Sequence, residues 1–172
     1  KHGGIIASCD SSIYNYGKDY YTYVWPRDGA LTLLPLIDLG YQEEPKRFFE
    51  FCADTMHPDG YMMHKYQPDR AIGSTWHPLM HQNHPELAIQ EDETASVIFA
   101  LGHYLNVSGD SEFVFSLYDK FIKPACDFMA RFIDDSTSLP HASYDLWEER
   151  FGTHTYTVLM TYSGLEQAVK IA

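Results

Sequence analysis

Positive charge is what this chain has least of. Lys and Arg number 12 against 24 Asp and Glu, a formal net charge of −12, and a surface so short of cations offers little to a phosphate backbone or an anionic lipid. Nucleic acid and membrane surfaces are therefore not expected as partners, and a neutral ligand is compatible. Long apolar runs are missing too: no stretch of about 18 or more apolar residues occurs, so no membrane span is expected. The start, Lys1-His2-Gly3-Gly4, has neither an initiator Met nor the pattern of a signal peptide, and the chain reads as a segment of something longer. Cysteine is scarce. Cys9, Cys52 and Cys126 are far apart and without CxxC spacing, which argues against a disulfide framework and a thiolate metal site. Free, mostly buried thiols are expected, and with them a lean towards the cytoplasm.

What is present suits one globular domain. The 172 residues are 45% hydrophobic and 15% aromatic, enough to bury a sizeable core, with no low-complexity tract. Residues 1–28 show no helical period and carry a tyrosine-rich run from Tyr14 to Tyr23, the pattern of a long structured loop or a short irregular hairpin. A helix follows from Gly29 to Leu39, apolar nearly all round and so expected to be enclosed, ending at Gly40. The next, about 45–56, is amphipathic, with Phe48, Phe49, Cys52 and Met56 on one stripe. The alternation repeats: 92–105 reads as inner, 111–133 as outer with Pro124 kinking or breaking it, and 156–172 as inner. About five helices alternating inner and outer, with long polar loops at 57–91 and 134–153, follow the logic of a toroid of helical hairpins. Five would not close one. The expected fold is all-α, a partial barrel in which 1–172 is one catalytic domain incomplete at both ends.

The candidate chemistry lies in the loops. In Ser143–Arg150 two adjacent carboxylates, Glu148 and Glu149, stand between Trp147 and Arg150; a like charge and an apolar ring both disfavour ionisation, which is how a general acid is made. Solvated glutamates at a helix edge would have the same sequence. Arg27-Asp28 offers a donor fork beside an acceptor, suited to adjacent sugar hydroxyls, or else a helix cap and a surface ion pair. Trp76 in a polar loop serves as a stacking platform or as a plug, while Glu91, Asp92 and Glu93 are accounted for by the first turn of a helix. His77, His81 and His84, with Glu86, raise a zinc site. Pro78 and Pro85 count against it, no Cys assists and no HExxH pattern is present, so no metal is expected and no cofactor.

Three blocks together resemble glycoside hydrolase family 15, the glucoamylase-like family, and especially its prokaryotic and archaeal branch. They are Tyr21–Ala30 (YTYVWPRDGA), Pro58–Pro78 with Gln90–Ala95 (PDGYMMHKYQPDRAIGSTWHP, then QEDETA), and Tyr144–Arg150 (YDLWEER), in the family's order. The resemblance implies an (α/α)6 barrel and an inverting, exo-acting hydrolysis releasing glucose from the non-reducing ends of α-glucans such as starch. It implies Glu148 as general acid and Glu149 as a sugar contact. Arg27 and Asp28 would hold the terminal glucose, with Trp25 and Trp147 shaping the subsite. Tyr21 would lie near the catalytic water, and Lys65 and Trp76 would be further ligand contacts.

One element of the family is not matched. An inverting glycosidase needs a second carboxylate about 6.5–9.5 Å from the first, and the family's lies in a late block. Asp145, Glu91 and Asp92 are conceivable substitutes, and the segment by itself is expected to be inactive. Trehalase, glucodextranase and isomaltose-type α-glucosidase activities share these blocks. A carbohydrate-binding helical domain without the chemistry is the alternative outside the enzyme class.

Overall fold

The computed structural model describes residues 2–9, 21–75 and 80–172, so Trp76, His77 and the tyrosines from Tyr14 to Tyr20 lie outside the described residues. Among the described residues six α-helices carry the fold: α1 (Pro26–Asp38), α2 (Glu43–Thr55), α3 (Glu91–Ser108), α4 (Ser111–Ser116), α5 (Lys123–Arg131) and α6 (Thr155–Ile171). α1, α3 and α6 form an inner row with α3 in the middle, and α2 and α5 back it from outside. This is a sector of an (α/α)6 toroid. The core between the layers holds Leu33 and Ile37 of α1, Phe48 and Phe49 of α2, Ile98 and Leu101 of α3, and Phe121 just before α5, all buried.

Each boundary has a local cause. Pro26 occupies the first turn of α1, where its missing N–H costs nothing, and Gly40 with φ 87° ends it. Asp28 does not cap this helix. It falls in the first turn, and the backbone N–H of Arg27 instead donates to Glu93 Oε2 on α3 at 2.5 Å. The stretch read as one outer helix is interrupted before Pro124. A π-turn, Tyr118–Ile122, links α4 to α5, with the Ile122 N–H donating to the Leu117 carbonyl, and Pro124 sits in the first turn of α5.

The inner helices are not equally enclosed. α3 is enclosed as far as Tyr104, but α1 exposes Leu31 and α6 exposes Leu159, Tyr162 and Val169. The row explains this, because its end members have an inner neighbour on one flank only. α3 and α6 pack closely because both are small where they meet: a Cβ on Gly164 would lie 2.8 Å from the Ala95 carbonyl oxygen. The thiols also differ from expectation. Cys52 is buried, Cys126 half-buried and Cys9 exposed.

The loops carry short antiparallel pairs: β1 (Met80–His81) with β2 (His84–Pro85), β3 (Ile133–Asp134) with β4 (Leu139–Pro140), and β5 (Ser143–Tyr144) with β6 (Phe151–Gly152). His81 opposes His84 across the first pair and stacks on Phe151, ring centroids 3.9 Å apart. Near the start, Ala7 and Ser8 donate to the carbonyls of Tyr23 and Tyr21. These bonds bring residues 5–7 to the site, while the chain that joins the two segments lies outside the described residues.

Candidate active site

A cleft of about 950 Å³ opens at the end of the inner row. Ile5, Ile6, Ala7 and Leu31 give it an apolar wall, and Tyr21, Trp25, Arg27, Asp28, Trp147 and Glu148 supply rings and charges. Aromatic faces beside a few convergent polar groups are the usual make-up of a ligand site.

The acid block is a tight turn held by Asp145. The Asp145 carbonyl accepts the Glu148 N–H at 2.8 Å, and Asp145 Oδ1 accepts the N–H groups of Glu149 and Arg150 at 2.8 and 3.1 Å. Burial would raise the pKa of Asp145, but these bonds outweigh it and hold the carboxyl below its ordinary value. The turn forces Glu148 to φ 61°, a left-handed conformation that a long side chain seldom adopts. Such strain persists only where the surroundings over-determine it. Here they do: Gln90, fully buried before α3, donates to the same Asp145 carbonyl at 2.5 Å and accepts from Arg27 Nη1 at 3.0 Å. One amide thus ties the Arg27 block to the acid block.

Arg27 is buried as well, not in a surface ion pair. Its Nη1 lies 2.8 Å from Asp92 Oδ2 and 3.3 Å from Glu93 Oε1. Burial alone would lower its pKa, but Glu93 and Asp92 more than offset that, and it remains charged. One cation cannot hold three buried carboxylates ionised. Burial and the charge of Asp92 push Glu91 up to about 8, and burial pushes Glu93 well above the carboxylate range despite Arg27. Asp28 is raised too, first by burial, then by Asp92 and Glu148 against the opposing pull of Arg27.

The remaining candidates separate. Trp147 lines the cleft but is 75% exposed, so it is not the apolar cover over Glu148 that the sequence suggests. Glu149 is exposed and outside the cleft lining, and Lys65 is buried with its ammonium 4.3 and 5.2 Å from the ring centroids of Tyr23 and Trp25. Asp145, Glu91 and Asp92 do not line the cleft either. Sequence reasoning passed over two members, Gln90 and His64. His64 Nε2 lies 2.7 Å from Glu148 Oε1 and receives the Trp25 indole N–H at 3.2 Å. The sequence around His64, with Met62 and Met63 on one side and Lys65 and Tyr66 on the other, carries no signal for this role; its burial and its distant partners do.

Comparison with known proteins identifies the family of the chain and its fold. Residues 1–172 match Glycosyl hydrolases family 15 throughout. Over 172 residues the chain is 32% identical to an uncharacterized glycosyl hydrolase of Methanocaldococcus jannaschii, covering 100% of this chain and 24% of that protein. It is 27% identical to a glucoamylase of Saccharomycopsis fibuligera, covering 99% of this chain and 36% of that one. Two solved structures share the fold: glucoamylase from Saccharomycopsis fibuligera (TM-score 0.68, 24% identity, 99% of this chain and 38% of that chain) and Hormoconis resinae glucoamylase (TM-score 0.71, 22% identity, 99% and 29%). The chain therefore spans 24% to 38% of the length of these proteins. It belongs to glycosyl hydrolases family 15.

Proposed function

We propose that this chain is part of the catalytic barrel of an inverting, exo-acting glycosidase that releases glucose from the non-reducing ends of α-glucans. The reading rests on one observation above the others: Glu148 is strained into the left-handed region at the wall of a cleft that Arg27, Asp28 and aromatic rings also line. In this reading Glu148 protonates the glycosidic oxygen as its bond to the anomeric carbon breaks. Arg27 and Asp28 hold the terminal sugar, Trp25, Tyr21 and Trp147 pack against it, and Lys65 supports the two rings from below. The base that activates water stands in the part of the barrel outside these 172 residues. The α-1,4 linkage is the preferred one, with trehalose and α-1,6 bonds as the competing substrates. The exposed Cys9 thiol fits a reducing compartment.

Hydrolysis of maltose, isomaltose, trehalose and soluble starch by the complete protein, beside its Glu148→Gln variant, tests this. The variant should lose about 10²–10⁴-fold in kcat on the preferred substrate, the usual size of a general-acid contribution. Equal activity of variant and parent would remove Glu148 from the role. Sugar binding without hydrolysis of any of the four would favour a carbohydrate-binding domain.

A further inference from the structure

We propose that His64 is the positioning residue for the general acid: its Nε2 acts as a hydrogen-bond acceptor and stores the acidic proton on Glu148 Oε1 while the cleft is empty. The inference rests on the reading of Glu148 as the acid, and it comes from two bonds that meet on one atom. Trp25 Nε1 donates to His64 Nε2 at 3.2 Å, and Glu148 Oε1 lies 2.7 Å from the same nitrogen. An indole N–H is a donor only, and an imidazole nitrogen that receives it carries a lone pair and no hydrogen. That single lone pair faces both donors in a three-centre arrangement, and the hydrogen in the shorter bond then belongs to the carboxyl. With Trp25 and His64 both buried, the indole fixes the imidazole as neutral and protonated on Nδ1, and the imidazole in turn fixes Glu148 as the acid form.

Asp28, from α1, adds a like charge felt by Glu148. Arg27 is engaged by Asp92 and Glu93, Lys65 lies over the rings of Tyr23 and Trp25, and Glu149 is exposed to solvent.

The step balances without consuming the imidazole. Rotation about the terminal bond of Glu148 exchanges its two oxygens, since that torsion is broad and two-fold. The proton passes to the glycosidic oxygen, the bond to the anomeric carbon breaks, and the carboxylate is left facing the Nε2 lone pair. That arrangement disfavours the charged form, so the proton is regained from water before the next turnover. His64 touches neither the substrate nor the broken bond.

The experiment uses the complete protein with maltose, whose departing sugar needs its proton, and α-glucosyl fluoride, whose leaving group needs it far less. His64→Asn shortens the side chain so that it no longer reaches Glu148. It should lose about tenfold or more in kcat on maltose with KM within about twofold, and lose much less on the fluoride. His64→Gln places an amide oxygen near the lost Nε2 and should restore most of the maltose rate. The alkaline limb of the maltose pH profile should move to lower pH in His64→Asn, because the acid form has lost its acceptor. Equal losses on the two substrates would reduce His64 to a structural support, and an unchanged maltose rate would remove it altogether. If His64→Asn does not fold, His64→Leu, which fills the buried site but accepts no hydrogen bond, takes its place, and an alkaline limb that stays at the parent's pH overturns the proposal. Failure of the underlying reading looks different, since Glu148→Gln would then keep its activity whatever is done to His64.

Discussion

At the scale of single residues, the site is governed by an excess of buried carboxylates over cations. Among the described residues Arg27 is the cation paired with the buried Asp92, so Arg27→Ala leaves that carboxylate without a counter-ion. The expected cost is about 3–5 kcal/mol, read as a fall in chemical-denaturation stability. Glu91 is a separate case, because neither of its buried oxygens has a hydrogen-bond partner among the described residues and it titrates at about 8 against an ordinary 4.5. Below pH 4.5 the folded and unfolded states both hold its proton. Between 4.5 and 8 the unfolded chain gives the proton up while the folded chain keeps it, so this group's contribution to stability falls across that window and levels off above it. Glu91→Gln should abolish that slope: Tm measured from pH 5 to pH 8 should fall less in the variant than in the parent. The same slope in both would mean that Glu91 ionises freely.

At the scale of elements, the inner row depends on how closely α3 and α6 approach. Gly164→Ala places a methyl 2.8 Å from backbone that cannot step aside, and a loss of about 1–3 kcal/mol is expected from overpacking, read as a lowered Tm. The helices themselves were legible because the stripes of α2 and α5 repeat at helical spacing and Gly40 stops α1. Periodicity could not show that α1 and α6 each have a bare flank. A stripe records what is apolar, not which neighbour covers it. Nor could it show the π-turn, whose Ile122-to-Leu117 bond replaces a helical one ahead of Pro124.

At the scale of the whole molecule, the bare flank of α6 becomes a measurable property. Tyr162 is 64% exposed here, and a residue that stays exposed tolerates truncation within about 0.5 kcal/mol. If the complete protein closes the barrel over this face, as its longer relatives suggest, Tyr162→Ala should cost more than about 2 kcal/mol there. A neutral outcome would leave the sector unclosed. The site was half legible on the same grounds. Trp25, Arg27, Asp28 and Glu148 stood in blocks that declared themselves, whereas Gln90 and His64 matter only through partners far away in the chain. Those separations have a kinetic meaning. The bonds that aim Glu148 join residues 55 and 84 apart, and Arg27 finds Asp92 across 65. Contacts of such range are slow to close compared with helix formation. On refolding, the helical circular-dichroism signal should therefore return first and catalytic competence afterwards, because the turn that strains Glu148 lacks its Gln90 bond until α3 has docked.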